Sequence, residues 1–494
     1  MSMKNNPIFW MLAWMVLFFL SSCGDEHVEA LWIPKTMEMH KGYTLQLTDP
    51  FSTKNIKWRS SNPGVLTVSP TGLATAISEG DATIYTSDNE NDIAYYIEVH
   101  PKRNILFYIA TDADANIDDD TPGKIDQIRA GWKPNQGEML VYVDRRGQEA
   151  LFLRINNTLS EGYYGLDTLA RYGVENSADP AVLSRMIDSL LNYPADSYGL
   201  IFFSHASGWL PAGGLNNPRS SETNQQQIKQ ETPNELGLRS IVIDNGGETR
   251  YEMEYDDFAE AIPDHQLDFI ILEACLMGDV MSMYALRNKA AYVLVSSAEI
   301  VSPGFSYIYK DDIMRLYDTK NSVFSVVSGF AQAFHDFLIT RYQENSVFCS
   351  STLSIIKMDE MNMLSLVTKN VLQSVDFDES NLDIQALQRF DRPMAKGMGG
   401  KTYSRFFDFA HTVESLIPES QYAAFRAQME KTVVWKAETK RFLLGNYSNG
   451  EPDFSEYDGF FIERHSGLTT YIKQDVYPTL NAVFEGSDWY KAIE

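Results

Sequence analysis

Cysteine is nearly absent from this 494-residue chain, which holds only Cys23, Cys275 and Cys349. Three thiols cannot staple a disulfide-dense secreted scaffold, so the fold has to rest on a hydrophobic core. The residues for one are present, since 44% of the chain is hydrophobic. Positive charge is also short, with 41 Lys and Arg against 67 Asp and Glu and a formal charge of -26. Proteins that track nucleic-acid phosphates cluster Lys and Arg to displace counterions, and no basic stripe is visible here, which argues against nucleic acid as a partner. The acidity suits basic peptides as partners, or plain solubility. A Gly-x-Ser-x-Gly elbow is missing, which disfavours the serine hydrolases built on it. The apolar run Ile8 to Leu20 is too short for a comfortable membrane span.

That run follows Lys4 and reads as an export signal over residues 1–22. Its end, Leu20-Ser21-Ser22-Cys23, resembles a bacterial lipobox, in which the cysteine becomes the lipidated first residue of the mature chain. Cys23 is then a lipid anchor in the outer or cytoplasmic membrane, facing the periplasm or the cell surface. A plain signal peptide with an incidental cysteine is the alternative. Residues 23–29, with Asp25 and Glu26, form a short tether.

Beyond the tether the chain alternates with period two at Thr44–Leu47, Val65–Val68, Thr83–Tyr85 and Tyr95–Val99, with turn clusters at 60–64 and 69–72 between. Short strands at this spacing predict a β-sandwich over residues 30–101. Trp58 to Pro63, Gly72 to Ala76 and Glu79 to Ile84 make it similar to the group 2 bacterial Ig-like domains, which are commonly spacers or adhesive modules. From Asn104 the pattern changes. Ile105–Ala110, Met139–Val143, Leu200–Phe203, Phe269–Leu272 and Tyr292–Val295 are apolar runs of the kind buried on both faces. Helical spacing at Ile125–Trp132 and Val182–Leu191 separates some of them. Strands alternating with helices predict an α/β fold with a mostly parallel sheet flanked by helices.

Two of those strands deliver reactive side chains just past their C-terminal ends: His205 after Leu200–Phe203, and Cys275 after Phe269–Leu272. That rim is where open α/β sheets bind ligands. A helix starting beyond Cys275 would lower the thiol's pKa through its dipole. A disulfide between Cys275 and Cys349 is the structural alternative in an exported chain. The strand-end setting of Cys275, against the ordinary apolar setting of Cys349, favours a free thiol.

His205-Ala206-Ser207-Gly208-Trp209, then Glu273 to Met277, then Ser296 to Glu299 with Pro303-Gly304-Phe305-Ser306-Tyr307, occur in one order. Together these segments resemble the clostripain-like cysteine peptidases, whose fold is related to the caspases, over about residues 104–494. The resemblance implies Cys275 as nucleophile, His205 as general acid-base, and backbone amides of Ala206 and Cys275 for the oxyanion. It places Glu273, with Ser297, Glu299 and Asp408, in a substrate pocket for Arg or Lys side chains. Substrates are then proteins or peptides, and no cofactor is required. Two positions depart from the family: Ala206 replaces glycine and Glu273 replaces aspartate. If the site needs positive φ at Ala206, activity is weakened or lost, and the chain becomes an inactive binding or adhesion lipoprotein.

Pro211 to Glu235, rich in Asn, Gln, Ser, Pro and Gly, reads as a surface insertion between His205 and Cys275. Relatives are often self-cleaved in that interval after a basic residue. Arg219, Lys229 and Arg239 are the candidates, and a loop that is never cut is the alternative. Asp112, Asp114, Asn116 and Asp118, with Asp119 and Asp120, alternate oxygen ligands as Ca²⁺ prefers. The stretch lacks the glycine and terminal glutamate of an EF-hand, and a solvated acidic turn is the other reading.

Overall fold

The computed structural model describes residues 35–49, 56–87, 92–113, 115–212, 242–246, 249–374, 382–391, 404–443, 446–448, 451–453 and 459–494. The expected export signal, Cys23, Asp114, Arg219, Lys229 and Arg239 lie outside the described residues.

Residues 35–100 form two small sheets. One orders the strands Lys35–His40, Asp92–His100, Gly80–Ser87 and Lys57–Ser60; the other orders Thr44–Gln46, Leu73–Ala76 and Leu66–Val68. Period-two alternation sends Leu66, Ala74, Ala76, Ala82, Ile84, Ile97 and Val99 into one shared core. The first strand runs parallel to the last, in register from Lys35↔Tyr95 to His40↔His100.

Three residues after His100 the chain enters a nine-stranded sheet. Its strands are β1 (Arg103–Ala110), β2 (Met139–Asp144), β3 (Ala150–Ser160), β4 (Tyr163–Gly173), β5 (Ser197–Ser204), β6 (Leu267–Glu273), β7 (Ala290–Ser296), β8 (Thr352–Lys357) and β9 (Val433–Glu438). The spatial order is β4-β3-β2-β1-β5-β6-β7-β8-β9, with β2-β1-β5-β6-β7 parallel and both flanks antiparallel. The apolar runs are continuous because both faces are covered. On β6, Phe269 and Ile271 point into one core while Ile270 and Leu272 point into the other. Helices α1 (Ala115–Gly131), α4 (Ser306–Asp312) and α5 (Val323–Arg341) cover the first core, and α2 (Pro180–Leu191) and α3 (Val280–Ala285) cover the second. The α5 helix is long and apolar enough to cross a membrane, yet it buries Val326, Val327, Phe330, Ala331, Phe334 and Leu338 in that core.

The helix predicted at Ile125–Trp132 begins at Ala115, so the acidic stretch is helical from there on. Pro122 lies inside it. Proline has no N–H to give the carbonyl of Asp118, and Arg145 Nη2 donates to that oxygen instead, at 3.4 Å.

Candidate active site

Strands β5 and β6 are matched in register from Gly199↔Phe269 to Phe203↔Glu273. Two residues further on, His205 and Cys275 leave the sheet at the same level, on strands that lie about 4.8 Å apart in sheets generally. Both are half-buried. Their loops touch: a Cβ placed on Gly208 would stand 2.4 Å from the carbonyl oxygen of Leu276. Gly208 has φ +59, so glycine is required there twice over, by torsion and by space. Trp209 next to it is fully buried, donates Nε1–H to Arg405 O at 3.3 Å, and packs on Phe406, Tyr471 and Phe484.

Leu276 holds φ +61, a left-handed conformation that is costly for a non-glycine residue. Its N–H donates to Ala298 O at 2.9 Å and the N–H of Gly278 donates to Ser296 O at 2.8 Å, which pins the loop to the end of β7. Thr469 N–H donates to Gly278 O at 2.7 Å from the C-terminal part of the chain. The Cys275 sulfur accepts the backbone N–H of Ile300 at 3.4 Å. Cys275 and Cys349 are both free thiols, so the disulfide alternative falls.

Ala206 is buried and lies outside the left-handed region, so its L-side chain fits without strain. The helix expected directly after Cys275 starts instead at Val280, where Asp279 caps it, accepting from Met281 N and Ser282 N at 3.0 and 2.8 Å. The sulfur is therefore outside its first turn, and the local donor to it is Ile300, not the dipole of α3.

The expected substrate pocket needs correction. Glu273 is still a strand residue and its side chain is wholly buried. It accepts from Lys124 Nζ at 2.6 Å, from Phe305 N at 2.6 Å and from Tyr309 Oη at 2.7 Å. Lys124 is equally buried, also donates to Pro303 O at 3.0 Å, and sits 4.1 Å from the Phe203 ring centroid. Burial pushes the Lys124 ammonium's pKa down, against the pull of Glu273. A carboxylate neutralised in this way does not face a substrate cation. Asp408 is also spent: it caps the helix Phe409–Leu416 through His411 N at 2.9 Å and accepts Ser466 N at 2.6 Å. Ser297 is fully buried, with Oγ 3.2 Å from His465 Nε2. Of the four, Glu299 alone is partly exposed, directly before the Ile300 amide that meets the sulfur.

Sequence reasoning missed Lys124, Leu276 and His465. A signal existed for the first, because a carboxylate ending an apolar strand demands a buried counter-ion. His465 links Ser297 to Glu438 Oε2, 3.0 Å from its Nδ1, and this hydrogen bond holds the Glu438 carboxyl below its usual range. In the acidic stretch, Asp118 accepts Arg145 Nε and Nη2, both at 3.0 Å, and Asn116 is exposed on the first turn of α1. Among the described residues this donor set does not fit calcium, since Arg145 takes both carboxylate oxygens of Asp118.

The fold is a mostly parallel sheet with a histidine and a cysteine free of any disulfide at adjoining strand ends, and its class is that of the cysteine peptidases by the family match that follows. The family model described as the Clostripain family matches residues 107–476, and the chain belongs to that family. The model for bacterial Ig-like domains of group 2 matches residues 33–97. An inactive zymogen C11 protease from Parabacteroides distasonis is 25% identical, with 80% of this chain and 98% of that one covered and a TM-score of 0.61. A secreted C11 cysteine protease from Bacteroides thetaiotaomicron, solved with an irreversible peptide inhibitor, is 23% identical, with 80% and 99% covered and a TM-score of 0.61. That second likeness concerns the fold. No match is found among curated proteins.

Proposed function

We propose that the chain is an exported cysteine endopeptidase, held at a membrane through Cys23, which hydrolyses peptide bonds with Cys275 and His205. The Cys275 thiolate attacks the scissile carbonyl, and His205 gives the proton to the leaving amine. The N–H groups of Ala206 and Cys275 receive the oxyanion, and water then releases the acyl group with His205 as base. What carries this reading is the contact of Gly208 on Leu276, which joins the histidine and cysteine loops. The chemistry calls for no metal, and no step runs through calcium.

Cleavage after Arg or Lys is part of the proposal, with Glu299 as the carboxylate that meets the side chain, since it is partly exposed and directly precedes the Ile300 amide at the Cys275 sulfur. Self-cleavage at Arg219, Lys229 or Arg239 is proposed as the activating step, in keeping with the zymogen form described for the P. distasonis relative. The rival, an inactive adhesion lipoprotein, is disfavoured in this proposal because Ala206 lies outside the left-handed region.

Fluorogenic peptides with Arg, Lys, Asp or Leu before the bond provide the test. Turnover of the Arg and Lys peptides, abolished in Cys275→Ala and with the basic preference reduced in Glu299→Gln, supports the proposal. No turnover of any peptide by the chain cut between residues 211 and 240, with no labelling of Cys275 by a reactive peptide inhibitor, refutes it. Intact mass of the wild type beside Cys275→Ala reads self-cleavage, and membrane fractionation of Cys23→Ser reads the anchor.

A further inference from the structure

We propose that the paired strands Lys35–His40 and Asp92–His100 carry a binding site for a divalent transition metal of the zinc type, made by Glu38, Glu98 and His100. The site belongs to the Ig-like module and is independent of the proposed protease chemistry. Alternate residues of a strand share one face, and the parallel register pairs Glu38↔Glu98 and His40↔His100. The result is a square array of two carboxylates and two imidazoles.

One donor atom from each of Glu38, Glu98 and His100 lies within 4.8 Å of the other two. Ligand atoms about 2.1 Å from one ion stand at most about 4.2 Å apart, so modest rotamer changes close the set. The carboxylate side chains are free enough to make them, being 54% and 37% exposed. His100 Nε2 already points toward Glu98 Oε2, 3.8 Å away. His40 flanks the set, with its ring centroid 5.8 Å from that of His100. Its Nδ1 lies 2.8 Å from the Pro101 carbonyl, a hydrogen bond that fixes the ring and leaves Nε2 as the lone-pair nitrogen.

A second observation shows that the place attracts positive charge. Lys320, from the peptidase domain, reaches across to pair with Glu38. Its neighbour Thr319 donates to Pro101 O at 2.8 Å, so the turn carrying Lys320 is docked against the module. A lysine and a metal ion therefore compete for one carboxylate. Mixed nitrogen and oxygen donors select transition ions over Ca²⁺ and Mg²⁺, which take oxygen.

The test uses the untagged full mature chain carrying Cys275→Ala, so that the free thiol takes up no zinc, titrated calorimetrically with Zn²⁺ after chelator treatment. The expected result is saturable uptake at one site. His100→Ala and the near-isosteric Glu98→Gln each weaken it by at least about tenfold, while Lys320→Ala strengthens it by removing the competitor. Metal-free melting curves matching the parent establish that the variants are folded. No saturable uptake, or uptake that both His100→Ala and Glu98→Gln leave unchanged, overturns the site. Unchanged or weaker uptake in Lys320→Ala overturns the competition.

Discussion

Lys124 and Glu273 meet at 2.6 Å with no solvent-exposed surface on either side chain. The pair ties α1 to the end of β6, directly beneath the loop that carries Cys275. Removing one member of such a pair leaves an uncompensated buried charge, at a cost of about 3–5 kcal/mol. Lys124→Met is expected to lose about that much in urea unfolding, and Lys124→Met with Glu273→Leu to recover most of it. A single Lys124→Met variant as stable as wild type would show that the pair does not hold the fold.

Gly208→Ala is the sharpest probe of the joined loops. The new methyl would lie 2.4 Å from Leu276 O, at a φ of +59 that alanine adopts only at a cost of about 1–2 kcal/mol. The loops must separate, and displacements near 1 Å lower rates on the order of a hundredfold. We expect a modest drop in melting temperature and a large drop in kcat/KM. Full activity in this variant would mean that the loops work independently.

Asp144, at the end of β2, faces Asp244 in the interior, and Asp144 Oδ2 and Asp244 Oδ1 accept no hydrogen bond from any donor group. A proton shared between the carboxyls satisfies both. Burial first, and Asp244 second, push Asp144 up from its ordinary 3.8 to about 9. The unfolded chain releases this proton near pH 4 and the folded chain holds it to about pH 9. Its stabilising contribution is thus full below pH 4 and is lost as the pH climbs to about 9, by at most about 1.4 kcal/mol per pH unit. Asp144→Asn should flatten the fall in melting temperature between pH 5 and pH 9. An unchanged slope would assign the pH dependence to other groups.

Free Cys275 and Cys349 predict indifference to reductant. In a Cys23→Ser chain, dithiothreitol should leave the melting temperature unchanged, and the unfolded chain should show two titratable thiols without reductant. A melting temperature that drops on reduction would reveal a bridge.

Much of this was legible in the sequence. The strands whose apolar runs end at Phe203 and Leu272 were readable because burial on both faces writes such runs unbroken, and their chemistry-bearing neighbours follow within three residues. The edge strand Tyr163–Gly173 and its neighbour Ala150–Ser160 were not, since much of each faces solvent and the pattern dissolves into polar residues. Glu273 misled for a related reason. Its sequence position beside Cys275 suggests a shared pocket, but Glu273 is still in the strand and its side chain is turned into the layer of α1, onto Lys124. Nothing local announces Lys124 as its counter-ion, because the two are 149 positions apart.

The parallel pairing of Lys35–His40 with Asp92–His100 has a mechanical consequence. Tension between the residues before the module and the peptidase domain enters at the start of the first strand and leaves at the end of the last. Because the two run the same way, that pull slides them lengthwise and loads every inter-strand bond from Lys35↔Tyr95 to His40↔His100 together rather than peeling them one by one. The module is built as a shear clamp, able to resist a lengthwise pull on the domain that follows it.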